Sequence, residues 1–155
     1  MSQTVADTLV DALEKIGVKQ IFGLIADSLN PIGDAVRHSK IDWIGVRHEE
    51  GAALAAAGQA KLTGRLGVCC GSTGPGSTHL VAGLYEASRD HAPVLAISGD
   101  MPRKLAGTEY FQATNPNVLF VMSRSIPRPF PRLHRRQPSS IRPSPPPMRA
   151  AALRI

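Results

Sequence analysis

The sequence has few cysteines, few aromatic side chains and no long apolar run. Only 5% of its 155 residues are aromatic, and its two cysteines are adjacent, at Cys69 and Cys70. Adjacent cysteines have neither zinc-ligand spacing nor the C-x-x-C spacing of redox motifs, so we expect them on opposite faces of a buried strand. No run approaches the roughly 18 apolar residues of a membrane span, and acidic residues near the N-terminus argue against a signal peptide. We therefore expect a cytoplasmic protein.

The C-terminal part of the sequence contains no acidic residue. Residues 121–155 carry eight arginines, whereas residues 1–120 carry ten basic residues and all twelve acidic ones. The net charge of +6 therefore comes from this tail, which also holds eight of the thirteen prolines. Its composition favours a disordered, cationic, proline-rich segment. Because it lacks the lysines, glycines and interleaved aromatics of nucleic-acid arms, nucleic acid is not an expected partner.

Helix and strand patterns alternate before the tail. Apolar residues at helical spacing predict a first helix over residues 4–16, with Thr4 and Asp7 as a capping pair and Gly17 after its end. Asp27 and Ser28 are expected to supply the next N-cap. Further helices are predicted over residues 30–38, 49–62 and 75–89, and strands over residues 19–24, 42–46, 66–70 and 93–98.

The predicted strands are apolar on both faces. This pattern is typical of a parallel sheet that is covered by helices on both sides. The fold class is therefore predicted to be α/β, a mostly parallel sheet with right-handed crossovers. A chain of 155 residues is long enough for one domain, which we expect over residues 1–120, followed by the tail over residues 121–155.

Two carboxylates, Glu49 and Glu50, lie where a predicted strand meets an alanine-rich helix. In an α/β fold this is the carboxyl edge of the sheet, where ligands bind. The small residues that follow, Gly51 to Ala53, would let a flat ligand or another backbone approach closely. The same position is also explained by the preference of helix N-termini for negative charge, so these residues alone leave both interpretations open.

A glycine-rich segment, Gly-Ser-Thr-Gly-Pro-Gly-Ser at residues 71–77, joins the next strand to its helix. Its glycines follow the spacing G-x-x-G-x-G, so it is neither a P-loop nor a dinucleotide-binding fingerprint. The backbone N–H groups of such a turn can hold polar ligand atoms, although a tight turn that needs glycine explains it as well. His48 and His79 flank these motifs, but no Ser-His-Asp set and no metal-ligand spacing accompanies them.

Taken in order, these segments resemble the N-terminal pyrimidine-binding domain of thiamine-diphosphate-dependent enzymes. The resemblance is closest to the pyruvate oxidase and pyruvate:quinone dehydrogenase branch, with acetolactate synthase a near relation. It covers residues 1 to about 120, and seven matches in order make it more specific than any one motif. The matching stretches are Thr4-Val5-Ala6-Asp7 to Gly17-Val18, Ile21-Phe22-Gly23, Asp27-Ser28-Leu29-Asn30, Arg47-His48-Glu49-Glu50, Gly74-Pro75-Gly76 with His79-Leu80, Pro93-Val94-Leu95-Ala96-Ile97, and Phe111-Gln112.

The resemblance implies roles for individual residues. Glu49 matches the glutamate that, in such enzymes, hydrogen-bonds N1′ of the cofactor's aminopyrimidine and promotes loss of the thiazolium C2 proton before attack on a 2-keto acid. Phe111 and Gln112 match a pair that lines the substrate side of the pocket. Glu50 is implied to lie next to Glu49 without touching the cofactor itself. The residues implied to bind the cofactor are Ser28, Gly74, Pro75, Gly76 and His79.

The sequence also departs from the family pattern. Ala26 stands where the family often has glycine, and Ala113 where close relatives have glutamate. Family members continue into a middle domain, which binds FAD in this branch, and a diphosphate-binding domain with a Gly-Asp-Gly magnesium motif. The 155 residues contain no Gly-Asp-Gly, and the abrupt Arg/Pro/Ser bias after Phe120 suggests a reading-frame shift.

The expected function is the pyrimidine half of a thiamine diphosphate site in an oxidoreductase that decarboxylates a 2-keto acid such as pyruvate. By itself the chain is expected to be inactive, because the ligands for the diphosphate and Mg²⁺ are missing. A homo-oligomer or a partner chain with the diphosphate-binding domain would complete the site, and peripheral membrane association would belong only to full-length enzymes. Two alternatives stay open: an acetolactate-synthase-like half-site completed by a partner chain, and a non-catalytic α/β binding module with a basic arm.

Overall fold

A computed structural model describes residues 3–105, 107–123 and 151–154. Six α-helices and five strands occur in these ranges, together with short 3₁₀ turns at Asp27–Leu29 and Arg103–Leu105. In chain order the elements are α1 (Val5–Lys15), β1 (Gln20–Gly23), α2 (Asn30–Arg37), β2 (Asp42–Gly45), α3 (Glu49–Thr63), β3 (Gly67–Gly71), α4 (Pro75–His79), α5 (Val81–Arg89), β4 (Val94–Ser98), α6 (Pro116–Leu119) and β5 (Ala151–Arg154).

The strands form one parallel sheet in the order β2-β1-β3-β4-β5. Helices α1 and α2 contribute to a buried apolar cluster on one face of the sheet, and α3 and α5 contribute to a second cluster on the other. The predicted α/β class, with a parallel sheet between helices, is therefore confirmed. None of the helices that the structure describes is long and apolar enough to cross a lipid bilayer.

The first helix begins and ends where local sequence signals place it. The Thr4 hydroxyl accepts the N–H of Asp7 at 3.1 Å, and the Asp7 carboxylate accepts the N–H of Thr4 at 2.8 Å. Gly17 then has φ +91°, a conformation that glycine adopts without steric cost. The predicted capping box and glycine terminator are both confirmed.

The adjacent cysteines lie in the fully buried strand β3 and face opposite ways. Cys69 belongs to the cluster under α3 and α5, and Cys70 to the cluster under α1 and α2. Both thiols are free. The predicted arrangement, one cysteine on each face of a buried strand, is confirmed.

Neither cysteine is expected to react with a thiol reagent while the protein is folded. Burial raises the pKa of the Cys69 thiol to about 12, and burial, followed by the neighbouring Cys69, raises the pKa of Cys70. At pH 8 the thiolate fraction of Cys69 is then about a thousandfold below that of an ordinary thiol, and the thiolate is the reactive form. Titration with Ellman's reagent checks this: both thiols should react in denaturant and neither in buffer within the same time. Rapid labelling of the folded chain would contradict the buried placement.

Two predicted features of the helices differ from the structure. The Asp27–Ser28 pair does not cap α2, which begins at Asn30 after a 3₁₀ turn and has Leu29 at its N-cap without a side-chain bond. The helix predicted over residues 75–89 is divided at Leu80 into α4 and α5. In the first part the Thr78 hydroxyl donates to the carbonyl of Pro75 at 2.8 Å, a local bond that competes with regular helix geometry.

Strand β2 is also less buried than predicted. Its four residues are exposed or half-buried, because β2 is an edge strand of the described sheet, with β1 as its one neighbour there. The expectation of two apolar faces therefore holds for β3, which is buried throughout, but is wrong for β2.

The tail differs from its expected disorder where the structure describes it. Ala151–Arg154 forms β5, which pairs in parallel with β4 in a register that places Leu95 opposite Ala151. The strand uses the edge of β4, whose unpaired backbone groups would otherwise lack partners within the sheet. Residues 124–150 and 155, on which the rest of that expectation falls, lie outside the described residues.

Candidate functional site

The candidate site lies at the carboxyl edge of the sheet. Glu49 is the first residue of α3, just after β2, and α4 follows the loop after β3. Only 6% of Glu49 is exposed, although acidic residues are rarely buried without a partner. The strand-to-helix connections thus bring a buried carboxylate next to the glycine-rich loop.

His79 is the hydrogen-bond partner of Glu49. Its Nδ1 lies 3.0 Å from Glu49 Oε2, and the bond joins the end of α4 to the start of α3. The His79 side chain is 40% exposed, whereas that of Glu49 is 8% exposed. His79 therefore connects a buried carboxylate with the protein surface.

His48 packs against this pair. The ring centroids of His48 and His79 are 4.1 Å apart and the planes are inclined by 27°, which is a stacked arrangement. His48 is the N-cap of α3, where its Nδ1 accepts the backbone N–H of Glu50 at 3.3 Å. The Glu50 carboxylate is about half exposed and lies 3.9 Å from His48 Nδ1. Sequence reasoning noted His48 but found no role for it; its position directly before a helix is the signal for a cap.

The glycines of the loop lie where a side chain would not fit. Gly74 has φ +71°, and a Cβ there would lie 2.5 Å from the carbonyl oxygen of Gln112. A Cβ on Gly76 would lie 2.9 Å from Glu49 Oε1. Gly74 and Gly76 are buried while Pro75, between them, is exposed. The loop therefore lies directly against Glu49 on one side and against residue 112 on the other.

Buried and half-buried hydroxyl groups hold the loop in place. The Ser28 hydroxyl accepts the backbone N–H of Thr73 at 3.1 Å. Ser77 donates to the carbonyl of Ser72 at 2.7 Å, and its hydroxyl lies 2.6 Å from that of Ser98 at the end of β4. Ser28 thus supports the loop through its backbone. The bond between Ser77 and Ser98 was not foreseen, because nothing local in the sequence signals a pairing between residues so distant in the chain.

Phe111 and Gln112 are only partly associated with the loop. Gln112 adopts φ +58° and contacts Gly74 through its backbone and Cβ. Phe111 is 76% exposed, so its ring is not packed against the protein. The structure therefore brings Gln112 to the glycine-rich loop and leaves Phe111 on the surface nearby.

No metal centre accompanies these groups in the part of the chain that the structure describes. Within it, no cluster of three or more His, Cys, Asp or Glu side chains could hold a metal ion. An open groove of about 620 Å³ between α2 and β2 contains none of the site residues named above. The chemistry of the candidate site therefore rests on the Glu49–His79 pair and the glycine-rich loop.

Comparison with known proteins agrees with the resemblance. The family model described as thiamine pyrophosphate enzyme, N-terminal TPP binding domain, matches residues 3–118. A pyruvate oxidase of Lactiplantibacillus plantarum is 46% identical over 114 residues, which are 72% of this chain and 19% of that protein. An acetolactate synthase of Arthrospira platensis is 47% identical over 113 residues, 70% of this chain and 20% of that protein.

A third relative is an uncharacterized 42.6 kDa protein of Pseudomonas amyloderamosa, 51% identical over 117 residues. The match covers 75% of this chain and 30% of that protein. The chain thus spans between about a fifth and three tenths of the length of these relatives.

Proposed function

Because the chain belongs to the family of N-terminal TPP-binding domains of thiamine pyrophosphate (thiamine diphosphate) enzymes, we propose that it forms the pyrimidine half of a cofactor site in an enzyme acting on a 2-keto acid such as pyruvate. The observation that carries the proposal is the buried carboxylate of Glu49. One of its oxygens is bonded to His79 and the other faces Gly76.

The residues present fit an aminopyrimidine. Among the described residues, none donates a hydrogen bond to Glu49 Oε1, so this carboxylate oxygen is available to a ligand while His79 holds the other. Gly76 lets the loop backbone lie close to this oxygen, since a Cβ there would be 2.9 Å from Glu49 Oε1 and 2.5 Å from Ser72 Oγ. A flat ring whose nitrogen shares a proton with Oε1 satisfies the oxygen, so Glu49, Gly74 and Gly76 would hold the pyrimidine.

Each residue then has a defined task. Thiamine diphosphate supplies, when bound, the electron sink that decarboxylation of a 2-keto acid requires. Glu49 holds a proton at Oε1 against the ring nitrogen, and His79 keeps Oε2 occupied. The glycine-rich loop provides the wall beside the ring, and Ser28 fixes the backbone of that wall at Thr73.

The diphosphate and Mg²⁺ would be bound by polypeptide beyond these 155 residues. The relatives of this chain are three to five times longer than the stretch it matches. We therefore propose that the complete site forms between this half and a diphosphate-binding domain outside these 155 residues. The pyruvate oxidase and the acetolactate synthase are similar to the chain to nearly the same extent, so the proposal extends to 2-keto acids as a class.

Titration calorimetry of the full chain tests the half-site. With thiamine diphosphate and Mg²⁺, the chain alone is expected to bind in the millimolar range, since it contacts only the pyrimidine. Adding a polypeptide with the remaining part of the pyruvate oxidase relative should raise the affinity at least a hundredfold, because the diphosphate then gains its ligands. That polypeptide without the chain is the control. Micromolar binding by the chain alone, or no gain on mixing, would contradict the proposal.

A further inference from the structure

We propose that His79 is the positioning residue of Glu49: it holds Oε2 through its Nδ1–H, keeps Oε1 turned toward Gly76, and is itself fixed by the ring of His48. This inference rests on the pyrimidine half-site proposed above and assigns the group that sets its geometry. The histidine tautomer spectra and the binding of a free aminopyrimidine distinguish failure of this positioning role from failure of the half-site.

The hydrogen bond between His79 and Glu49 fixes the tautomer of His79. An ionised carboxylate can only accept hydrogen bonds. At a separation of 3.0 Å the hydrogen therefore belongs to His79 Nδ1. In the neutral imidazole the other nitrogen, Nε2, then carries no hydrogen. The contact thus selects the Nδ1–H tautomer of His79.

The neighbouring ring, His48, carries the opposite tautomer. Its Nδ1 accepts the backbone N–H of Glu50, so the hydrogen of the neutral ring lies on Nε2. The two stacked imidazoles therefore carry opposite tautomers, 4.1 Å apart. Because His48 caps the same helix turn that begins with Glu49, the stack ties the His79 ring to the backbone that carries the carboxylate.

His79 prevents the Glu49 carboxylate from rotating away from Gly76. Within the described part of the chain, His79 provides the one hydrogen bond that Glu49 receives at its carboxylate. Without that donor the carboxylate would be buried and unpaired, and rotation toward water would relieve the cost. A rotated carboxylate no longer faces Gly76. His79 thus acts on the bound ring through Glu49 and not by direct contact.

Imidazole tautomers are measured by long-range ¹H–¹⁵N correlation spectra of the full ¹⁵N-labelled chain, above the pH at which histidines titrate. His79 is expected as the Nδ1–H tautomer and His48 as the Nε2–H tautomer. Glu49→Ala, which removes the acceptor, should shift His79 toward the Nε2–H form. Glu50→Ala is the matched control and should leave His79 unchanged. An Nε2–H tautomer of His79 in the unsubstituted chain, or no response to Glu49→Ala, would overturn the proposal.

Binding of a free aminopyrimidine, 4-amino-5-aminomethyl-2-methylpyrimidine, distinguishes positioning from a general structural role. His79→Leu removes the donor and should weaken binding about tenfold or more, the effect of losing one hydrogen bond to a charged group. His79→Asn, whose amide nitrogen can take the place of Nδ1, should stay within about threefold of the unsubstituted chain. Equal losses in both variants would contradict positioning. If the unsubstituted chain does not bind the aminopyrimidine, the half-site fails, while the tautomer spectra still decide whether His79 is coupled to Glu49.

Discussion

Replacing Glu49 by glutamine is expected to lower pyruvate turnover by about 10²- to 10⁴-fold in a complex of this chain with the diphosphate-binding part of a relative. A side chain held in position for proton transfer typically contributes about 10²- to 10⁴-fold to the reaction rate. Glutamine keeps the size of the side chain but cannot hold a proton at Oε1. Glu49 is buried against Gly76 and bonded to His79, so the substitution removes the one carboxylate at this position. Steady-state pyruvate consumption measures the effect.

Glu50→Gln is the control for this loss. Glu50 follows Glu49 directly but is about half exposed and lies near His48, so turnover should change by no more than a few-fold. Equal losses in the two variants would show that the charge of the helix N-terminus matters and not the individual carboxylate, in line with the general preference for acidic residues there. That result would contradict the assignment of Glu49.

Replacing Gly74 by alanine is expected to destabilise the fold by about 2–6 kcal/mol. The conformation at Gly74, φ +71° and ψ −113°, is one that other residues adopt only with strain, at a cost of about 1–3 kcal/mol. The new Cβ would also lie 2.5 Å from the carbonyl oxygen of Gln112, and relief of such overpacking costs a further 1–3 kcal/mol, roughly. Unfolding in urea, monitored by circular dichroism, gives the difference in the free energy of unfolding.

Gly58→Ala is the matched control, at a glycine where an added Cβ fits without a clash. Gly58 lies within α3, and a Cβ there meets nothing within 4 Å. Alanine in a helix is favoured over glycine by about 0.5–1 kcal/mol, so this variant should be more stable than the unsubstituted chain. A loss at Gly74 no larger than about 1 kcal/mol would mean that residue 112 does not lie against the loop, and would remove one wall of the site.

Features that depend on a few neighbouring residues were predictable from the sequence. The Thr4–Asp7 capping box and the Gly17 terminator work within one helical turn, and both occur where the sequence indicates them. Apolar runs likewise indicated the buried strands, because a strand covered on both faces admits few polar residues. The alternation of these elements was enough to predict the parallel sheet.

Features that depend on distant residues were not predictable in this way. Four residues with no period of their own, Ala151–Arg154, become a strand because the edge of β4 is available. The bond between Ser77 and Ser98 joins two elements whose sequences carry no sign of each other. For the site, the family resemblance identified Glu49 and His79 separately, but their contact, and the stacking of His48 on His79, required the fold.

The most direct measurement of the central claim is a titration of the ¹⁵N-labelled full chain with the two halves of the cofactor, each alone, followed by amide spectra. The aminopyrimidine half should shift the amide signals of Gly74, Gly76 and His79, with the half-maximal effect in the millimolar range. The thiazole phosphate half should shift none of them, because the proposed half-site contacts only the pyrimidine. Shifts caused by the thiazole phosphate at the same amides, or no shift with the aminopyrimidine, would contradict the claim that Glu49 and the glycine-rich loop form a pyrimidine half-site.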